Sequence, residues 1–275
     1  MTVPAPTVPL AGGTRMPQLG LGTWPMQGED CARAVAGAIE AGYRMIDTAE
    51  NYENEDGVGE GIRRSGIARE DLFVTSKFNK KWHSVDGVRQ ACEASLARLG
   101  LDYLDLFLIH WPNPTQGTYV EAYEGLIAVR DAGLVRAIGT SNFKAHHLAD
   151  LFARGFVPEV NQIQLDPHTL RADLVAVHGA KGIVTEAWRP FGERGACVTD
   201  PAVVALAQRY AVSPQQIVLR WFVQHGYVTC PKSADPARQA ANLDVFGFEL
   251  TPDEVAGMTA DRPNPKQLDA DRFGH

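Results

Sequence analysis

Short runs of apolar residues alternate with segments of helical spacing along almost the whole chain. Eight of these runs are rich in β-branched and aromatic residues and end on polar or small side chains: residues 18–24, 43–49, 72–78, 103–111, 135–143, 158–165, 182–190 and 226–233. Runs of this length, bounded by turn residues, predict buried strands. Because helical segments separate them, the strands are predicted to run parallel in one sheet.

Capping residues mark several of the helical segments. Residues 29–42 and 118–133 carry apolar stripes, and each of these segments ends on a glycine. Residues 84–100 begin at Ser84, a favourable N-cap residue. Eight strand–helix units in about 250 residues fit a closed (β/α)8 TIM barrel better than an open sheet. The first strand-to-helix turn also lacks the G-x-G-x-x-G pattern of dinucleotide-binding sheets.

Residues outside the repeat complete the predicted architecture. A hairpin over residues 7–17, with its turn at 11–14, is expected to cover the bottom of the barrel, and extra helices are expected at the C-terminal end. No linker-like stretch divides the chain. We therefore predict a single barrel domain over residues 1–275.

Composition narrows the possible partners. The net charge of −7 argues against a nucleic-acid surface or a basic membrane patch. No long apolar run or signal-like N-terminus occurs, which predicts a cytoplasmic protein. The widely spaced cysteines suggest free thiols and no metal site: Cys31, Cys92, Cys197 and Cys230. We also expect a monomer.

Polar residues stand where several predicted strands end, and that end of a barrel carries the active site. Lys77 lies late in an apolar strand and needs an anionic partner, for which Asp47 on the neighbouring strand is the nearest candidate. Tyr52 follows in the next loop, and His110 closes an almost wholly apolar run. Taken singly, each has a structural alternative, such as a loop cap, a half-buried aromatic ring or a core histidine. Their concentration at three consecutive strand ends favours a functional interpretation.

Three stretches, which occur in the expected order along the chain, resemble motifs of the aldo-keto reductase family. The resemblance extends over roughly residues 7–262. They are "GYRMIDTAENYENEDGVG" (42–59), "LFLIHWP" (106–112) and "PKSADPARQAANL" (231–243). Among bacterial members, the chain looks most like the 2,5-diketo-D-gluconate reductase type. The resemblance implies a catalytic tetrad of Tyr52, Asp47, Lys77 and His110.

The chemistry of carbonyl reduction explains why these residue types are needed. Tyrosine, with a pKa near 10, is a poor acid, and a nearby ammonium is expected to lower that pKa. Lys77, kept charged by Asp47, would lower the pKa of Tyr52 in this way. Tyr52 would then serve as the general acid. His110 would orient the carbonyl oxygen.

The resemblance also implies a nicotinamide coenzyme and the residues that hold it. Ser141, Asn142 and Gln162 would bind the carboxamide, and Trp188 would stack on the ring, although a tryptophan at this place could equally belong to the core. At the other end, Lys232, Ser233 and Arg238 would meet a 2′-phosphate, with Asn242 near the adenine. Two cations around a phosphate favour NADPH/NADP over NADH.

The chain departs from the family pattern at a few positions. Arg189 and Phe191 replace the usual serine and leucine after the stacking aromatic residue, and Ala241 replaces an acidic residue near the adenine. These changes predict altered pyrophosphate and adenine contacts. The tail ends where relatives often continue, which predicts a shortened substrate-covering loop.

The substrate depends on loops rather than on the motifs. Trp24, Trp82 and Trp111 are expected to form an aromatic pocket mouth, which suits aldehydes, aryl ketones, α-dicarbonyls and keto-sugar acids. Two other functions stay open: an NADPH-binding redox sensor or accessory subunit with little turnover, and an unrelated phosphate-binding barrel enzyme. The second alternative predicts acidic metal ligands or a glycine-rich phosphate loop near the last strands, and residues 226–233 contain neither.

Overall fold

The structure, a computed structural model, describes residues 5–260 and 267–275. All eight predicted barrel strands are present and run parallel. The chain first forms a hairpin of β1 (Thr7–Pro9) and β2 (Arg15–Pro17). The barrel strands that follow are β3 (Leu21–Gly22), β4 (Met45–Asp47), β5 (Phe73–Phe78), β6 (Leu104–Ile109), β7 (Val135–Ser141), β8 (Val160–Gln164), β9 (Val184–Trp188) and β10 (Val228–Thr229).

The sheet closes on itself between its first and last strands. Neighbours follow chain order from β3 to β10, and parallel bridges then join Leu19 to Thr229 and Gly22 to Lys232. Backbone hydrogen bonds across the seam include Gly20 N–H to Thr229 O, at 3.0 Å. A Cβ atom on Gly22 would lie 2.6 Å from the Cys230 carbonyl oxygen, so a side chain at this position would force the seam apart. The predicted closed barrel is therefore confirmed.

Ten helices surround the described barrel. They are α1 (Gly28–Ala41), α2 (Glu55–Ser65), α3 (Val85–Leu99), α4 (Tyr119–Asp131), α5 (Ala145–Ala153), α6 (Ala172–Lys181), α7 (Pro201–Tyr210), α8 (Pro214–Gln224), α9 (Pro236–Leu243) and α10 (Pro252–Met258). The predicted caps are present: Ser84 Oγ accepts the Gly87 N–H at the start of α3, and Gly42 ends α1 with a φ of 115°. Two helices follow β9 and two follow β10, and α10 is the extra C-terminal helix. None of the helices in the described ranges is long and apolar enough to cross a membrane.

The hairpin closes the bottom of the barrel, as predicted. Leu10 and Met16 are buried against residues that begin strands, among them Met45 and Phe73. The turn is anchored where Gly12 N–H donates to Glu159 Oε2 at 2.7 Å. Because the bottom is sealed by apolar packing, the open end of the barrel is the one where the strands finish.

The packing of α2 against α3 depends on a glycine. A Cβ atom on Gly59 would lie 2.2 Å from the Leu99 carbonyl oxygen, so Gly59→Ala should force the helices apart and destabilise the fold by ~2–3 kcal/mol. Gly179, in α6, is the matched control because a Cβ atom added there would have no neighbour within 4 Å. Gly179→Ala should be neutral or stabilising by up to ~1 kcal/mol. Denaturation midpoints of the two variants measure the difference, and equal effects would contradict this packing.

Candidate active site

A buried ion pair lies at the open end of the barrel. Lys77 Nζ donates to both carboxylate oxygens of Asp47, at 2.8 and 2.9 Å, and to the Thr48 carbonyl oxygen at 3.0 Å. The Lys77 side chain is fully buried. Burial disfavours the ammonium, but the nearby Asp47 carboxylate outweighs this effect and raises the pKa of Lys77 above its usual range. The lysine is therefore charged.

Tyr52 reaches this pair from a short 3₁₀ turn, Glu50–Tyr52, that follows β4. Its hydroxyl lies 3.5 Å from Lys77 Nζ. Burial raises the pKa of Tyr52, while the Lys77 charge opposes that rise. The sequence-based expectation of a lowered pKa is therefore wrong for this structure, because desolvation of the phenolate outweighs the ammonium. The phenol is protonated at neutral pH and has a proton to give.

His110 follows β6 and faces Tyr52. The two ring centroids are 5.9 Å apart in an edge-on arrangement, and His110 Nδ1 is buried without a hydrogen-bond partner among the described residues. Burial, together with the charge on Lys77, lowers the pKa of His110 well below its ordinary value. The imidazole is therefore neutral at physiological pH and carries one N–H.

The ends of the next three strands bring a hydrogen-bonded group to the same place. Asn142 donates to Ser141 Oγ at 3.0 Å and accepts a hydrogen bond from Trp188 Nε1 at 2.9 Å. Asn142 adopts a φ of 64°, a left-handed conformation in which asparagine is enriched. Gln162 Nε2 donates to Asp47 Oδ2 at 2.9 Å. Gln162 is therefore tied directly to the buried ion pair.

One cavity of ≈ 980 Å³ joins these residues. Its walls include Asp47, Tyr52, His110, Ser141, Asn142, Gln162, Trp188 and Lys232. Trp24 and Trp111 also line it, as expected for a pocket mouth. Trp82 does not, because its indole N–H donates to Glu50 Oε1 at 2.9 Å and the ring packs beside Lys81.

The residues expected at a 2′-phosphate lie where the cavity meets α9. Lys232 lines the cavity, whereas Ser233, Arg238 and Asn242 do not. Ser233 follows Lys232 directly, and Arg238 and Asn242 belong to α9. Lys232 and Arg238 are exposed and form no ion pair with any other residue that the structure describes. One cation on the cavity wall and a second on the helix that follows leave positive charge available for an anion. A nicotinamide dinucleotide phosphate therefore fits the size, the donors and the charge of the site.

Several cavity residues were missed by the sequence analysis. Phe273 and His275 in the tail line the cavity, and Phe273 packs on Trp111 with ring centroids 4.7 Å apart. The tail therefore reaches the site, while residues 261–266 lie outside the described residues. The sequence could not predict the contact between Phe273 and Trp111, because the tail has no periodic pattern of hydrophobic residues.

The departures after β9 also line the cavity. The Arg189 guanidinium lies 5.2 Å from the Trp188 ring and pairs with Glu193 at 3.2 Å. Phe191 forms part of the wall. Arginine and phenylalanine therefore stand where the family pattern has serine and leucine, and both face the space that the cavity encloses.

Comparison with known proteins agrees with this geometry. Residues 16–260 match the Aldo/keto reductase family. The chain is 46% identical over 255 residues to 2,5-diketo-D-gluconic acid reductase B of Corynebacterium sp., with 92% of each protein covered. It is 43% identical over 257 residues to methylglyoxal reductase DkgA of Yersinia pestis, again covering 92% of each.

Solved structures give the same result. Gox0644, crystallised as a mutant with NADPH, is 38% identical with a TM-score of 0.92, and 98% of each chain is covered. The Bombyx mori aldo-keto reductase bound to NADP is 39% identical with a TM-score of 0.87, covering 94% of this chain and 92% of that one. The chain therefore belongs to the aldo/keto reductase family, as an oxidoreductase that uses NADPH/NADP and acts on carbonyl groups.

Proposed function

We propose that this protein reduces aldehydes and ketones to alcohols, with Tyr52 as the general acid. The observation that supports this most directly is the position of Lys77. Its ammonium binds the Asp47 carboxylate on one side and lies 3.5 Å from the Tyr52 hydroxyl on the other. Asp47 and Tyr52 line the cavity, and Lys77 lies behind them. A buried cation beside a protonated phenol is the arrangement that stabilises the phenolate left after proton transfer.

Each residue of the proposed tetrad has a separate task. The bound coenzyme supplies the hydride to the carbonyl carbon. Tyr52 gives its proton to the carbonyl oxygen, and Lys77 stabilises the resulting phenolate. His110, being neutral, donates its N–H to the same oxygen and holds the carbonyl in line. Asp47 keeps Lys77 charged and in place through two short hydrogen bonds.

The coenzyme-binding roles follow the geometry of the cavity. Ser141, Asn142 and Gln162 are proposed to bind the nicotinamide carboxamide, with the ring on the face of Trp188. The hydrogen bond from Trp188 Nε1 to Asn142 fixes the indole plane relative to those donors. Lys232, Ser233 and Arg238 are proposed to bind the 2′-phosphate, and Asn242 the adenine.

The substrate is proposed to enter past the aromatic residues Trp24, Trp111 and Phe273. The named relatives act, by their names, on a diketo-sugar acid and on methylglyoxal. Both are compact compounds with adjacent oxygen functions, so α-dicarbonyls and keto-sugar acids are the substrate classes we propose first. NADPH oxidation followed over a panel of these compounds, with simple aldehydes and aryl ketones alongside, tests this choice. Coenzyme binding without turnover of any carbonyl would favour a redox sensor.

A second carboxyl group, besides that of Asp47, lies close to the proposed tetrad. Glu186, on β9, is fully buried and pairs in register with Gln162. Its Oε1 accepts from Cys230 Sγ at 3.4 Å, and its Oε2 has no partner within the described ranges. Burial, reinforced by the Asp47 charge and opposed by Lys77, raises the pKa of Glu186 to about 8. The neutral acid leaves the Asp47–Lys77 pair electrically balanced at neutral pH.

Tyr52→Phe tests the acid. The variant keeps the ring and removes the proton, so kcat should fall by ~10²-fold or more while NADPH affinity and melting temperature stay close to wild type. Tyr103→Phe, remote from the cavity, is the control and should retain full turnover. Near wild-type kcat in Tyr52→Phe would disprove the assignment.

Arg238→Ala tests the phosphate site. Charge-assisted bonds to the 2′-phosphate should make the Kd of wild type for NADPH lower than for NADH by the equivalent of ~1–3 kcal/mol. The variant should lose much of this preference and bind NADH almost unchanged. Arg209→Ala is the control because Arg209 pairs with Glu254 on the outer helices. Equal wild-type affinities for the two coenzymes would count against the site.

Glu186→Gln tests the buried acid through stability. Unfolding lowers the Glu186 pKa from about 8 to the ordinary value near 4.3, so between these values the folded state binds more protons. The free energy of unfolding attributable to this group should therefore fall as pH rises through that window, by up to about 5 kcal/mol in total.

The amide introduced by Glu186→Gln cannot titrate, so the variant should gain stability over wild type as pH rises from about 5 to about 8. Urea denaturation at several pH values measures this difference. Glu121→Gln, on the exposed face of α4, is the control and should track wild type at every pH. A constant difference between Glu186→Gln and wild type would show that Glu186 is already ionised.

A further inference from the structure

A second imidazole lies beside the proposed tetrad. His275, in the tail of residues 267–275, lines the same cavity as His110, and the two ring centroids are 5.7 Å apart. The His275 ring also lies edge-on to the rings of Trp111 and Phe273, at centroid distances of 6.3 and 5.2 Å. The proposed reaction gives His275 no task, although its ring borders the space that a carbonyl compound would occupy.

The tail that carries this ring is anchored on both sides of the cavity mouth. Lys80 N–H donates to the His275 carbonyl oxygen at 2.7 Å. Further back along the tail, Lys144 Nζ binds the Asp271 carboxylate at 2.6 Å, and Ala270 is buried. The tail therefore packs against the barrel and presents the His275 ring to the cavity in a defined position.

The hydrogen-bonding capacity of this ring is unused. Lys80 and Asn113 both donate to the backbone carbonyl oxygen of His275, and neither ring nitrogen has a partner among the residues that the structure describes. The neighbouring Trp111 Nε1 is buried and also lacks a partner within those ranges. A buried donor without an acceptor costs free energy, which an oxygen atom of a bound molecule would recover.

The charge state of the ring suits an uncharged donor. Partial burial of the His275 ring lowers its pKa, and the nearby Lys80 charge lowers it further. The imidazole is therefore neutral at physiological pH and carries one N–H, which can donate to a carbonyl or a carboxylate oxygen. His110 is neutral for similar reasons. Two neutral imidazoles thus stand side by side at one wall of the cavity.

The two rings need different oxygen atoms. A carbonyl oxygen has two lone pairs, and in the proposed reaction Tyr52 and His110 donate to both of them. A further N–H from His275 therefore requires a second acceptor. Because the rings of His110 and His275 are only 5.7 Å apart, that acceptor has to lie close to the first oxygen.

We propose that His275 is a specificity residue that hydrogen-bonds to a second oxygen, carried by the carbon next to the reacting carbonyl. The inference rests on the proposed function, because His110 has to hold the first oxygen. The favoured substrates are then small α-dicarbonyl compounds and α-keto acids, in which adjacent carbons carry the two oxygens. A simple aldehyde fills the first position and leaves the His275 N–H without an acceptor.

A matched pair of aldehydes tests the proposal through turnover. Methylglyoxal and propanal differ by the ketone oxygen next to the reacting aldehyde, so the ratio of their kcat/KM values isolates the second oxygen. His275→Phe keeps the aromatic contacts and removes the N–H, and it should lower this ratio by about 3–10-fold, the worth of one hydrogen bond. His275→Gln restores an N–H and should recover part of the ratio. His225→Phe, at the end of α8 and away from the cavity, is the control and should leave it unchanged.

Pyruvate binding gives a readout that needs no turnover. With the oxidised coenzyme bound, no hydride can pass to pyruvate, so its Kd can be measured by calorimetry. His275→Phe should raise that Kd by about 3–10-fold, and His275→Gln should raise it less. Because His275 is exposed, the variants should fold, and their melting temperatures should match that of wild type.

The two measurements separate the possible ligands. An effect of His275→Phe on methylglyoxal alone assigns the N–H to a neutral dicarbonyl compound, and an effect on pyruvate alone assigns it to an α-keto acid. An unchanged ratio together with an unchanged pyruvate Kd would overturn the proposal, as would a His275→Gln variant no better than His275→Phe in either measurement. Failure of every carbonyl to turn over would contradict the proposed function alone, because pyruvate binding still reports on His275.

Discussion

The ion pair between Lys77 and Asp47 is the interaction on which the rest of the site depends. A fully buried ammonium is unfavourable unless its donors are satisfied, and here three acceptors surround Nζ at 2.8 to 3.0 Å. Breaking such a pair by removing one partner typically costs ~3–5 kcal/mol, because the other charge is left unpaired. The fold therefore holds the charge that the proposed chemistry needs, and Tyr52 and Gln162 are positioned by contact with the pair.

The barrel explains how residues far apart in sequence meet. Parallel strands finish at one end, so Asp47, Lys77 and His110 come from three consecutive strands and share one surface. The opposite end is closed by the hairpin, whose Leu10 and Met16 pack against residues at the starts of the strands. Substrate choice is then left to the loops and the tail, which carry Trp24, Trp111 and Phe273.

Most of this arrangement could be predicted from the sequence. The eight strands follow from their apolar runs, and a lysine late in an apolar strand already required a buried acid. What could not be predicted depends on three-dimensional detail. Trp82 was expected at the pocket mouth, but its indole nitrogen finds a carboxylate on the neighbouring turn. The raised pKa of Tyr52 follows from its degree of burial, which no motif records. No motif marks Glu186 in the sequence, because its burial and its raised pKa arise only once β9 is part of the closed barrel.

The Lys77–Asp47 pair serves chemistry as well as folding, and one doubly substituted variant separates the two roles. Lys77→Met combined with Asp47→Asn removes both charges together, so stability should recover well above that of either single variant. Turnover should not recover, because no ammonium remains beside Tyr52. The double variant should fold and bind NADPH, with a kcat at least ~10²-fold below that of wild type. A stable double variant with near wild-type kcat would contradict this expectation.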